Sequence, residues 1–187
     1  MPERDDRGRV LVSIAREAIG ERLGACQARE RAEAWLAEPA ATFVTLRTGK
    51  DLRGCIGSLD PRRPLGLDVA SNARAAAFSD PRFAPLAASE FVAIRIEVSV
   101  LSPRTPIEAA DESDAAARLR PGVDGVYLEF EGRAATFLPQ VWESLPDPVE
   151  FLAALRDKAQ LPRRSWDRAI RLTRYTVEKY ADEHPAR

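Results

Sequence analysis

Thr42-Phe43-Val44-Thr45-Leu46-Arg47-Thr48 is a run of strand formers, Gly49-Lys50 is a turn pair, and Asp51-Leu52-Arg53-Gly54-Cys55-Ile56-Gly57-Ser58-Leu59 returns as a second strand. β-Branched and aromatic residues fit a pleated surface, and a glycine turn between two such runs signals an antiparallel hairpin. Pro61 and Pro64 break the second strand, and Pro64 suits the first position of a helix over Leu65–Phe78, alanine-rich on its packing side. Ser79 to Leu86 is a proline-punctuated loop. Val92, Ile94, Ile96, Val98 and Val100 then alternate with Ala93, Arg95, Glu97 and Ser99. One apolar and one mixed face is the pattern of a strand with one side on a core.

Outward from this centre, Val10, Leu11, Ile14, Ala18, Ile19 and Leu23 have helical spacing, which predicts a helix over residues 10–36, weakened at Gly20 and Gly24. That helix includes Cys26, read as a structural thiol. A short helix is expected over 111–120, and a second hairpin from Gly125–Phe130 and Arg133–Leu138 around Glu131-Gly132. Asp147-Pro148-Val149-Glu150 is a helix start, with Asp147 as cap and Val149, Leu152, Leu155 and Ala159 as the buried stripe. Ala169 to Lys179 reads as one last strand and Asp182 to Arg187 as a frayed end. Strands arriving as hairpins with helices between them favour an α+β fold, antiparallel hairpins packed with helices, over a doubly wound parallel sheet. No linker is long enough to separate independent domains.

The chain has 187 residues, 45% hydrophobic and 30% charged, the composition of a globular protein able to build a core. Lys plus Arg (28) nearly cancels Asp plus Glu (29), so a nucleic-acid partner is disfavoured. Arg62-Arg63 and Arg163-Arg164 read as solvated loop charges. No apolar run approaches the ~20 residues of a membrane span, and no signal peptide opens the sequence, so the expected location is the cytoplasm. His184 is the only histidine, and there are two cysteines. That excludes a disulfide framework and disfavours multi-ligand zinc sites and histidine-based triads. Neither a P-loop nor a GxGxxG segment is present.

Leu52-Arg53-Gly54-Cys55-Ile56-Gly57 resembles the LRGCIG signature of the AMMECR domain family. Further segments match in order: Ala76-Ala77-Phe78-Ser79-Asp80-Pro81-Arg82-Phe83 with Pro85-Leu86, Glu97-Val98-Ser99-Val100-Leu101 with Pro103, and Thr136-Phe137-Leu138-Pro139-Gln140-Val141-Trp142. The resemblance extends from about Leu11 to Tyr180. It implies a two-lobed α+β fold with the LRGCIG strand lining a cleft, a single AMMECR domain over 1–187, ordered over about 10–180, whose two lobes are interwoven. It also implies the bacterial and archaeal AmmeMemoRadiSam gene set, in which a Memo-like protein and a radical-SAM protein are the partners. One departure stands out: Gln160 occupies a place where a KAGL-like ending has glycine, which questions how the preceding helix stops.

Within the signature, Gly54 and Gly57 allow close backbone approach or unusual backbone angles, and their N–H groups can form an anion-binding concavity together with Ile56. Arg53 can clamp phosphate or carboxylate, and Cys55 can act as a nucleophile where its surroundings favour the thiolate. The plainer alternative is that Cys55 is a small buried hydrophobe and the glycines serve packing. Asp80 and Arg82 can hold a polar ligand or form an internal pair in a rigid loop. Glu97 can act as a base or pair across strands, and Gln140 can cap or line the cleft. Trp142 and Trp166 read as packing residues. Two functions follow: a protein binding a small anionic ligand or a partner, with catalysis belonging to the Memo-like or radical-SAM protein, or an enzyme using Cys55 on an anionic or electrophilic substrate. No metal or organic cofactor is implied.

Overall fold

The computed structural model describes residues 4–161, 166, 167 and 169–182. Arg163-Arg164 and His184 lie outside the described residues. Helix α1 (Arg4–Arg22) is followed by a 3-10 turn at Ala34–Ala37, then strands β1 (Pro39–Thr48), β2 (Asp51–Gly57) and β3 (Arg63–Pro64), helix α2 (Leu65–Phe78) and strand β4 (Ile94–Leu101). Next come β5 (Thr105–Pro106), α3 (Glu112–Arg118), the hairpin β6 (Gly125–Phe130) and β7 (Arg133–Phe137), a 3-10 turn at Pro139–Glu143, α4 (Pro148–Lys158), and strands β8 (Arg171–Tyr175) and β9 (Val177–Ala181). Two compact units result: one runs to Leu101 and resumes at Glu178, and the other spans Ser102–Val177. Among the described residues, no helix is long and apolar enough to cross a membrane.

In the first unit the sheet order is β2-β1-β4-β9, with β3 paired to the start of β1. β1 is antiparallel to both neighbours, so Val44 opposes Ile56 on one side and Val98 on the other. Alternation puts Val44, Leu46, Ile96 and Val98 on the face that meets Leu11, Ala15 and Ile19 of α1 and Val69, Ala73 and Ala76 of α2. The alanines let α2 approach the sheet closely: a Cβ at Gly54 would run into the carbonyl oxygen of Ala76. The end of β9 is tied back by Asp182, which accepts from Ile96 N (2.9 Å) and Arg16 (2.5 Å).

In the second unit the order is β5-β8-β6-β7. Glu131 and Gly132 both have positive φ (47° and 78°), as the tight turn of a twisted hairpin requires. α4 buries Phe151, Leu152 and Leu155, and Trp142 stacks on Phe151 with ring centroids 3.8 Å apart. Trp142 is therefore a core residue, its indole N–H donating to Asp124 O at 2.7 Å.

Six expectations are corrected. The first helix stops at Arg22 rather than running to residue 36. Gly24 turns left-handed (φ 70°), and Gly24 N and Ala25 N bond back to Glu21 O and Gly20 O. Cys26 thus lies outside the helix and is exposed. Val92 precedes the strand and is 89% exposed. In α4 the inward position belongs to Phe151, while Val149 in the first turn is exposed. The single last strand is two strands in different sheets, interrupted at Thr176, whose N–H and C=O both bond Ser102. Asp182 is anchored, not frayed.

Gln160 resolves the question of the α4 terminus. It adopts the left-handed conformation itself (φ 56°), and Gln160 N and Leu161 N bond back to Asp157 O and Arg156 O. This is the hydrogen-bond pattern that Gly24 makes after α1, with Leu161 buried behind it. A side chain in this conformation costs energy that glycine avoids. Gln160→Gly is expected to stabilise the second unit by about 0.5–1 kcal/mol, the strain relieved exceeding the added chain entropy. Urea unfolding followed by Trp142 fluorescence measures it; a lower midpoint would show that the Gln160 side chain makes compensating contacts.

Candidate functional site

β2 is an edge strand, and its outer backbone groups need partners. The loop after α2 supplies them with side chains. Asp80 Oδ2 accepts the Cys55 N–H at 2.9 Å, and Arg82 Nη2 donates to the Cys55 carbonyl at 3.1 Å. The two side chains also bind each other, Arg82 Nε to Asp80 Oδ1 (2.9 Å) and Nη2 to Oδ2 (2.7 Å). An ion pair thus takes the place of the N–H and C=O that a neighbouring strand would offer. Asp80 is 4% exposed, and Leu86, buried in the core, fixes the far side of the loop through Leu86 N to Ala77 O.

A second clamp lies beside the first. Arg53 Nε and Nη2 donate to the two oxygens of Glu90 (2.7 and 3.0 Å), and Nη2 also reaches Ala84 O (3.0 Å). A register irregularity sets this up: Leu46 opposes Gly54 and Arg47 opposes Leu52, so Arg53 is left without a cross-strand partner. Both guanidinium groups lie near the Phe83 ring, at 5.9 Å for Arg53 and 5.5 Å for Arg82. Each is pinned through Nε and Nη2. The Nη1 of Arg53 is buried with no hydrogen-bond partner among the described residues.

The electrostatics follow from these bonds. The Arg82 side chain, opposed by burial and helped by the backbone N–H groups of Cys55 and Arg82, holds the Asp80 carboxyl well below the usual carboxylate range. The Arg53 side chain and the Ala87 N–H, against burial, bring Glu90 down to about 2. Neither carboxylate is a proton acceptor near neutrality.

Cys55 is half-buried, and Thr45, its cross-strand partner, directs its hydroxyl at the Sγ (3.4 Å). Thr45 also opposes Glu97 on β4, so Cys55, Thr45 and Glu97 form one row across three strands. Glu97 is two strands from the thiol and 3.8 Å from Lys179 Nζ, so charge pairing describes it. Gly54 meets α2, and a Cβ at Gly57 would run into the Phe43 ring, so both glycines serve close approach, and neither has positive φ. Ile56 is partly buried against the core. The Cys55 amide is spent on Asp80, so anion-binding capacity in this region rests on the guanidinium groups. Gln140 lies in the second unit, exposed on the 3-10 turn Pro139–Glu143.

Sequence reading missed Thr45, Glu90 and a buried network behind β2. Asp68 (1% exposed) accepts from Thr42 N and Oγ1, Ser58 Oγ, Asn72 and Arg63. The signal was available: Asp68 and Asn72 stand in the otherwise apolar stripe Leu65, Val69, Ala73, Ala76 of α2. Each of these groups donates to the Asp68 carboxylate, and the network locks β1, α2 and the segment after β2 together.

An α+β protein whose edge strand is closed by charged loop side chains is the class this geometry defines. The chain belongs to the AMMECR1 family, whose model matches residues 12–180. A relative from Methanothermobacter thermautotrophicus is 39% identical, the match covering 84% of each chain. One from Aeropyrum pernix is 36% identical over 97% of this chain and 81% of its own. The crystal structure of an uncharacterized protein from Pyrococcus horikoshii superposes with a TM-score of 0.84 at 34% identity, covering 97% of this chain and 94% of that one.

Both clamp carboxyls have folded pKa values below their unfolded ones, so their stabilisation is complete above the unfolded range and is lost as pH falls. For Glu90 the window is from 4.5 down to about 2. Glu90→Gln is expected to be less stable at neutral pH and to flatten the acid loss across that window, as followed by urea midpoints against pH. An unchanged acid slope would mean that Arg53–Glu90 contributes nothing. Asp80→Ala, which uncovers the edge amide of Cys55, is expected to cost about 1–3 kcal/mol in the same measurement.

Proposed function

We propose that the Leu52–Gly57 strand and its loop form a binding surface for a small anionic ligand or an acidic partner segment, in a cleft lined by that strand. The observation that carries this reading is the pair of guanidinium groups at Phe83, each immobilised by a carboxylate, with the buried Nη1 of Arg53 uncommitted. Pinned guanidinium groups lose little entropy on binding, and they suit planar oxyanions. The catalytic partners of this surface are the Memo-like and radical-SAM proteins implied by the family resemblance.

A second reading, an enzyme with Cys55 as nucleophile, has two observations in its favour: the Thr45 hydroxyl is aimed at Sγ, and the Arg82 guanidinium interacts with the Cys55 side chain. Against it, no histidine or carboxylate hydrogen-bonds the Cys55 thiol among the described residues, and Asp80 and Glu90 are both spent.

Cys26, exposed and outside the helix, is an internal reference for the thiol. The binding reading predicts that Cys55 is alkylated more slowly than Cys26 from neutral to alkaline pH, and that Cys55→Ser still binds the Memo-like and radical-SAM proteins in a titration. Faster alkylation of Cys55 at neutral pH, with activity lost in Cys55→Ser, would overturn it in favour of the nucleophile.

A further inference from the structure

On the first unit, away from the Cys55 loop in sequence, α1, the segment 28–37 and the start of α2 line an open hollow of about 510 Å3. That volume is in the range of small-molecule sites. Ile14 and Ala18 of α1 and Leu67 and Ala70 of α2 give it an apolar wall. Leu67 is 63% exposed and carries that wall out to the rim of the hollow.

The polar part of the lining is unequal. Glu17 is fully engaged, accepting from Ser13 Oγ (2.9 Å), Arg31 Nη2 (2.8 Å) and Arg29 N (3.0 Å). Of the arginines, Arg74 is paired with Glu21 at 2.8 Å, while Arg29 and Arg31 keep donors in reserve. Arg31 Nε is buried with no hydrogen-bond partner among the described residues. The Arg29 side chain is 82% exposed, and its carboxylate contact, to Glu17, is a loose 4.0 Å. An apolar wall beside unspent guanidinium donors suits a molecule with a hydrocarbon body and an anionic end.

We propose that this hollow is a second binding site, for a medium-chain carboxylate, with the chain against Ile14, Leu67 and Ala70 and the carboxylate on Arg29 and Arg31. It is independent of the reading given to Arg53 and Arg82.

The test is calorimetric titration of the full chain with sodium decanoate below its micelle concentration, with decanol as the uncharged comparison. Ala32→Phe fills the hollow from an exposed non-helical position, and Leu67→Glu sets a carboxylate against the chain at a site exposed enough to leave the core intact. The expected result is one saturable site, affinity about tenfold lower for Arg29→Ala and for decanol, and no saturable binding in Ala32→Phe or Leu67→Glu. Absence of saturable binding in the wild type overturns the proposal, as does decanol binding as tightly as decanoate. Unchanged affinity in Arg29→Ala, or in Leu67→Glu, also overturns it. Sedimentation with anionic vesicles distinguishes a free carboxylate from a lipid surface: retention on vesicles without decanoate binding contradicts the site.

Discussion

An exposed strand edge cannot leave its backbone groups unpaired in a half-buried setting, and at Cys55 the solution is a carboxylate and a guanidinium rather than another strand. Asp80 accepts the amide, Arg82 donates to the carbonyl, and the two charges neutralise each other. Burying Asp80 alone would be costly. Three conditions must therefore hold together: the loop must return to β2, Arg82 must reach over Asp80, and β2 must lie close to α2. The last requires glycine at 54, where a side chain would strike the Ala76 carbonyl, and small residues on the facing helix. The signature strand and the Asp-Pro-Arg-Phe loop are two halves of one device.

The hairpin β1–β2, helix α2 and strand β4 were legible because their signals are local: a glycine turn, a proline before a helix, strict alternation. The Asp147 cap is legible for the same reason, its carboxylate accepting from Val149 and Glu150 two and three residues on. What sequence could not supply is long-range. Arg53 meets Glu90 across 37 positions, and nothing in either neighbourhood names the other. Alanine-rich sequence continues beyond Gly24 and hides the end of helix α1, which the left-handed turn at Gly24 sets. Gln160 misled in the opposite direction, since a non-glycine residue takes the left-handed conformation and closes α4 with the same bonds. For the site, the residue types around Cys55 were readable, but whether its charges were free or spent was not. Asp80, read as a ligand contact or an internal pair, is an internal pair.

That distinction shapes the chemistry. Carboxylates held far below their ordinary range do not accept protons near neutrality, so the loop contributes fixed geometry and oriented ion pairs. Immobilised guanidinium groups beside an aromatic ring are suited to recognition. The buried Asp68 network behind them keeps β1, the segment after β2 and α2 in register, so the two ion-pair clamps rest on rigid elements.

The central claim is that Arg53 and Arg82 form a preorganised anion platform, and their side-chain N–H groups report on it directly. Each Nε donates to a carboxylate, which shields its proton from exchange and makes the signal observable by NMR. Titration with inorganic phosphate, watched at the arginine Nε–H resonances, is the decisive measurement. The account predicts saturable shifts at Arg53 and Arg82, ahead of exposed arginines such as Arg62, and their loss in Arg53→Lys. Weak, linear shifts spread evenly over the arginines would contradict it.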